Sequence, residues 1–219
     1  MLRAVVFDFD GLILDTESAE FEAYQLMYRH HGAELPVHVW GQCVGTAGTF
    51  DPYAYLEEQL ADRTYDRQAA QAMRRAHFES RMELADVRPG VREYLDTASR
   101  LGLRIGLASS SSRAWVVGYL ERHGLLEAFE VIRTKEDVAI VKPDPELYLQ
   151  AVQALGVEPH EAAAFEDSPN GALAAKRAGM KCVIVPNSVT SQLTFGEYDL
   201  QLQSMAEMGL EDVLARLVR

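Results

Sequence analysis

From Pro89 onward the chain alternates short apolar runs with amphipathic stretches, and this rhythm restricts its possible folds more than any other feature. Helix is predicted over about 91–100 and 113–123, with strands over 103–108 and around 129–133. The second half repeats the pattern: helix 145–155, strand 162–165, helix 169–178, strand 181–185 and a closing helix near 210–217. Strands separated by helices pair in parallel and are covered on both faces. The expected fold class is therefore α/β, a doubly wound, mostly parallel, Rossmann-like sheet, with ligands in the crevice outside the carboxyl ends of the strands.

The first strand is expected at the N-terminus, where Arg3-Ala4-Val5-Val6-Phe7 reads as a buried run that stops abruptly in Asp8-Phe9-Asp10-Gly11. Between about 16 and 86 no convincing strand follows. Helical segments there are punctuated by Gly32, Pro36, the 41–48 loop and Asp51-Pro52, and end in a long polar helix over roughly 66–84. The predicted organisation is a discontinuous α/β core, residues 1–15 and 87–219, interrupted by an α-helical module of residues 16–86.

A chain of 219 residues can bury one substantial core and a small satellite. Its net charge of −12 argues against nucleic acid or an anionic membrane as partner. The apolar run before Asp8 is too short for a secretory signal and no later stretch approaches transmembrane length, so a cytoplasmic location is expected; a monomer is the default expectation, which no sequence feature decides. Cys43 and Cys182 read as small hydrophobes.

Chemistry-bearing residues gather where core strands should stop. Asp8 and Asp10 follow the first strand. Ser109-Ser110-Ser111-Ser112 follows the strand ending at Ala108 and leads into a helix start, more hydroxyls than the one an N-cap needs and a favourable setting for a phosphate. Lys142, one of four lysines in the chain, precedes Pro143-Asp144-Pro145, whose prolines stiffen its loop. Glu166-Asp167 ends a strand of small residues and opens another helix. Each has a bland reading as a strand exit, cap or surface lysine; their order along one sheet rim favours the functional one. Clustered carboxylates repel unless a cation joins them, and hard oxygen ligands suit Mg²⁺.

With these residues in this order, the sequence resembles the haloacid dehalogenase superfamily, and within it the β-phosphoglucomutase-like phosphatases. Asp8-Phe9-Asp10-Gly11 is similar to the first family motif, Ser109 to the second, Lys142 to the third and Glu166-Asp167 to the fourth. The resemblance covers essentially the whole chain. It implies a phosphatase acting on a small phosphorylated metabolite through an aspartyl-phosphate on Asp8, with Asp10 as general acid and then base. It implies Mg²⁺ held by the Asp8 side chain, the Asp10 carbonyl and Asp167, with Glu166 beside them. Ser109, Ser110, Lys142 and Gly11 are implied to bind the phosphoryl group.

By the same resemblance the helical module is a cap that sets specificity through Thr16, Glu20, Gly45 and Thr46. It departs from the mutases, which place a histidine where this chain has Glu20, and a lysine and an arginine where it has Val44 and Gly48. With no lysine in the module, a second phosphate lacks its counter-charges, which favours phosphatase over phosphosugar mutase. A phospho-accepting signalling module is the alternative from another class, and would need neither Asp10 nor a cap. Arg74, Arg75 and Arg81 are expected on a solvated face, as is the pair His30 and His31. Trp40, Tyr53 and Tyr55 are expected in the core of the cap.

Overall fold

The computed structural model describes residues 1–45, 50–61 and 64–218. Six strands, β1 (Ala4–Phe7), β2 (Arg104–Ala108), β3 (Val131–Arg133), β4 (Ala162–Glu166), β5 (Lys181–Ile184) and β6 (Leu200–Gln201), form one parallel sheet in the order β3-β2-β1-β4-β5-β6. The chain steps from β1 to β2 and β3 on one side, then returns to place β4 and β5 on the other. The reversal lies between β1 and β4, the position where open α/β sheets bind ligands. Register aligns Phe7 with Leu107 and Phe165, so the three central strands end level with one another.

Every residue of β1 is buried, and alternate side chains enter different cores. Val5 and Phe7 join a cluster beneath α5 (Val91–Arg100), α6 (Arg113–Arg122) and α9 (Leu210–Leu217). Ala4 and Val6 join a second cluster beneath α7 (Glu146–Ala154) and α8 (Pro169–Arg177). On that side Ala162, Ala164, Ala172 and Ala175 keep strand and helix side chains small, which permits close packing. The expected fold class is observed, with element ends within a residue or two of expectation.

Two strands differ in an instructive way. β4 runs on to Glu166, because a charged residue can close a buried strand when its carboxylate has local partners. β6 has only two residues and no apolar run to announce it.

Between β1 and β2 lie α1 (Thr16–His30), α2 (Val37–Trp40), α3 (Pro52–Leu60) and α4 (Arg67–Glu83). They enclose a third apolar cluster that includes Phe21, Tyr24, Met27, Tyr28, Trp40 and Leu56. Aspartates start three of these helices: Asp15 accepts from the Ser18 amide, Asp51 from Tyr53 and Ala54, and Asp66 from Gln68 and Ala69. Each such cap is worth about 1 kcal/mol. The chain leaves for this insert and returns from it side by side, since Leu14 bridges Val87 and the Arg88 amide donates to the Ile13 carbonyl at 2.9 Å. His30 is exposed, and His31 is half-buried with its ring against Tyr65. Among the described residues no helix is long and apolar enough to cross a membrane.

Candidate active site

Three adjacent strand ends build the site. Asp8 follows β1, Ser109 follows β2, and Glu166 and Asp167 close β4. All four are buried. Lys142 arrives from the loop before α7 and is 1% exposed, so the surface-lysine reading does not apply. Its ammonium donates to Asp8 Oδ1, to the Ala108 carbonyl at 2.7 Å and to Glu166 Oε1 at 2.7 Å. The Tyr148 ring lies beneath it, 4.9 Å from Nζ to the centroid.

Glu166 is heavily engaged. Oε1 also accepts from the Tyr148 hydroxyl at 2.5 Å, and Oε2 accepts from the Asp167 amide at 3.2 Å and the Ser168 hydroxyl at 3.4 Å. Asp167 Oδ2 accepts from Asn187 Nδ2 at 2.7 Å.

Ligand atoms of Asp8, Glu166 and Asp167 all lie within 4.8 Å of one another. Three buried carboxylates against one ammonium leave an excess of negative charge that a hard, oxygen-loving cation would neutralise, so the residues fit a metal ion. The protonation equilibria carry the same signature. Burial, with Glu166 and Asp10 adding to it, pushes the Asp8 carboxyl up to about 8 against the opposing pull of Lys142. Burial, then Asp8, Glu17 and Glu166, raises Asp167 well above the usual carboxylate range. Burial works against the Lys142 ammonium, but Asp8 and Glu166 outweigh it and hold the amine above its ordinary value.

Asp10, two residues beyond Asp8, stands outside this knot. Its Oδ1 accepts from Trp115 Nε1 at 2.9 Å and its Oδ2 from the Ser109 hydroxyl at 3.3 Å. The four serines divide their work. Ser112 caps α6, Ser109 also accepts from the Ser111 amide at 3.0 Å, Ser110 donates to the Gly45 carbonyl at 3.3 Å, and Ser111 lines the cavity. Gly11 holds the turn at φ +80°, where a Cβ would sit 2.1 Å from Asp167 Oδ2.

The haloacid dehalogenase-like hydrolase family model matches residues 5–185. The chain belongs to the haloacid dehalogenase-like hydrolases. It is 55% identical over 217 residues to the presumed phosphatase YhcW of Bacillus subtilis (strain 168), covering 99% of this chain and 98% of that protein. A phosphorylated carbohydrates phosphatase of Thermotoga maritima is 30% identical, with 97% of each chain covered. Among solved structures, CbbY from Rhodobacter sphaeroides in complex with phosphate superposes with a TM-score of 0.74 at 29% identity, covering 100% of both chains. The reading of the sequence as a phosphatase of this family stands.

Above the rim, the hydrolase has a cavity of about 760 Å³ between the sheet and the helical insert. Asp8 and Asp10 lie on its floor; Thr16, Glu17, Glu20, Tyr24, Trp40, Gly45 and Arg74 line it from the insert. Gly45 docks on the core: a Cβ there would meet Ser168 Oγ at 2.3 Å, and the neighbouring Val44 carbonyl accepts from Asn170 Nδ2 at 2.8 Å. Thr46 and Gly48 lie outside the described residues. Among the described residues Thr16 Oγ1 is buried without a hydrogen-bond partner. Trp40 is core and wall together, packed on Tyr24 at 5.0 Å while lining the cavity.

Arg74 corrects the expectation of a solvated face. Arg75 and Arg81 are exposed, pairing with Glu79 and Glu22. Arg74 instead turns inward, because the pairing of α1 with α4 brings it to Glu20 (Nη1 to Oε1, 2.5 Å) and over the Tyr24 ring (5.1 Å). The insert therefore does present a cation to the cavity, already matched by Glu20.

Several side chains that contact the site carry no motif. Trp115 was missed because its indole reaches Asp10 across 105 residues of sequence. Arg88 donates to the carbonyls of Gly11, Val185 and Pro186. With Asn187, which also reaches the Gly11 carbonyl at 3.4 Å, it pins the loop that carries Gly11 against Asp167. Glu17, in the first turn of α1, is pushed well above the carboxylate range by burial and then by Asp10 and Asp8. A polar residue after a helix cap gave no sign of this, since its neighbours come from β1.

Proposed function

We propose that this hydrolase is a Mg²⁺-dependent phosphatase of small, singly phosphorylated, hydroxyl-rich metabolites, working through an aspartyl-phosphate on Asp8. The observation that carries the reading is the division of labour between two carboxyls two residues apart. Asp8 is clamped by Lys142 beside a metal-ready cluster. Asp10 is held apart from it by Trp115 and faces the cavity.

Asp8 supplies the attacking oxygen. As its bond to phosphorus forms and the ester P–O bond breaks, Asp10 passes a proton to the departing oxygen. Water then attacks phosphorus, Asp10 takes its proton, and the acyl-phosphate bond breaks to regenerate Asp8 and release phosphate. Lys142, Ser109 and Ser110 hold phosphoryl oxygens, and the small Gly11 lets them approach. Asp8, Asp167 and the Asp10 carbonyl would hold Mg²⁺, whose charge offsets that of the phosphoryl group and the carboxylates. Glu166, with four hydrogen bonds of its own, serves chiefly to hold Lys142.

Residues 16–86 act as the cap of a core made of 1–15 and 87–219, with the paired segments at Leu14 and Val87 as the joint. Closure excludes water until substrate is bound. Thr16, Glu17, Glu20 and Arg74 offer hydroxyl-binding groups, and the aromatic walls take carbon faces. Because Glu20 already matches Arg74, the cap supplies little net charge for a second phosphate, which favours hydrolysis over mutase chemistry. The carbohydrate-phosphate phosphatase among the relatives agrees in substrate type.

The test is phosphate release over a panel of sugar phosphates, polyol phosphates and nucleotides, with and without EDTA. Release from singly phosphorylated sugars and polyols, abolished by EDTA, is expected. Isomerisation primed by a sugar bisphosphate, without net release, would overturn the proposal.

A further inference from the structure

Trp115 occupies the first turn of α6, where its amide donates to the Ser112 cap at 3.4 Å, so its backbone is fixed before the side chain is considered. Its ring is then held from two sides. Tyr119 packs edge-on at 4.6 Å between centroids, and Phe78 of α4 stacks at 5.8 Å with planes inclined by 23°. Tyr119 comes from the same helix, but Phe78 comes from the insert. The indole carries one polar group, Nε1–H, which donates to Asp10 Oδ1 at 2.9 Å.

We propose that Trp115 is the positioning residue of Asp10, and that Phe78 makes this position depend on the insert lying closed over the core. The inference rests on the acid–base role given to Asp10 above. An indole N–H can donate and cannot accept, so the oxygen it faces is kept as an acceptor and the transferable proton resides on Oδ2. Oδ2 neighbours the Ser109 hydroxyl, at 3.3 Å. Once that hydroxyl turns to a phosphoryl oxygen, Oδ2 is free to face the oxygen that leaves and, later, the water that enters. Without the indole the carboxyl can rotate and present either oxygen. Without Phe78 the indole loses the wall that fixes its plane. The acid would thus be aimed only when the cap is shut, so proton transfer and water exclusion would coincide.

Trp115→Phe keeps a ring between Phe78 and Tyr119 and deletes the N–H. Its kcat/KM is compared on two substrates, a hexose phosphate, whose alkoxide must be protonated as it leaves, and p-nitrophenyl phosphate, whose leaving group departs unprotonated. Since kcat/KM stops at P–O cleavage, the later attack of water does not enter. The expected result is a loss of about tenfold or more on the hexose phosphate, carried by kcat rather than KM, against less than about twofold on the aryl ester. Phe78→Ala, which leaves both hydrogen-bonding residues in place, is expected to lower the same alkyl-to-aryl ratio several-fold, and it reads the proposal should Trp115→Phe fail to fold.

Asp10→Asn is run alongside. A ratio that collapses in Asp10→Asn but stays at the wild-type value in Trp115→Phe overturns the positioning role and leaves the acid role standing. A wild-type ratio in Phe78→Ala overturns the dependence on the insert. Equal losses on both substrates in Asp10→Asn overturn the acid role itself, and the inference with it.

Discussion

At Gly11 the backbone takes φ +80°, and the space where a side chain would begin is filled by Asp167 Oδ2. Gly11→Ala must therefore strain the turn and displace the Asp167 carboxylate together. A stability loss of about 1–2 kcal/mol is expected in denaturant titration. Mg²⁺ affinity should fall by about tenfold or more in calorimetry, since a displaced carboxylate no longer shares the ion. At Lys142 the reverse problem arises. Lys142→Met leaves Asp8 and Glu166 buried without their cation, at a cost of about 3–5 kcal/mol in the absence of metal, with phosphate release lost. The residues whose chemistry depends on strand ends, Asp8, Ser109 and Asp167, were legible because a polar residue closing an apolar run is visible in one dimension. Trp115, Arg88 and Asn187 were not, since each acts on a partner far away in sequence and none sits in a pattern of its own.

The helices α1 and α4 pack together and bring a charged pair to the cavity. Their contact turns Arg74 inward, and no periodicity in a polar, arginine-rich helix distinguishes the inward arginine from its exposed neighbour Arg75. The Arg74–Glu20 pair is only partly screened, with side chains 19% and 27% exposed, so Arg74→Met should cost about 1 kcal/mol in thermal or urea unfolding. It should also raise KM for a sugar phosphate several-fold more than it lowers kcat, because the pair lies across the cavity from the reacting oxygens. A fall in kcat alone would place Arg74 in the chemical step instead. The elements of the sheet were readable from alternation almost to the residue. β6 was not, since two residues cannot express a period, and neither was the burial of Glu166, which depends on Lys142 and Tyr148.

Over the whole molecule, stability without metal is tied to pH by the buried carboxylate cluster proposed to hold Mg²⁺. The folded-state pKa of Asp8 is raised from 3.8 to about 8, and that of Asp167 is raised well above its ordinary value. The folded protein then binds more protons than the unfolded chain between about pH 4 and pH 8, so this contribution is complete at the acid end and lost as pH rises through the window. Mg²⁺ bound to the folded state opposes that loss. Its stabilising shift in Tm should be larger at pH 8 than at pH 6, and calorimetry in buffers of different ionisation enthalpy should show protons released on binding. A larger shift at pH 6 would contradict the site. With the sheet rim, the insert and the charge distribution all directed at one cavity, the account comes down to whether Asp8 carries phosphate during turnover. The direct measurement is rapid acid quench of the enzyme with substrate, followed by peptide mass spectrometry. With p-nitrophenyl phosphate, whose leaving group needs no acid, the account predicts a transient phosphate on Asp8 that accumulates further in Asp10→Asn and is absent in Asp8→Asn. Sustained phosphate release with Asp8 never phosphorylated, or full activity in Asp8→Asn, would contradict it.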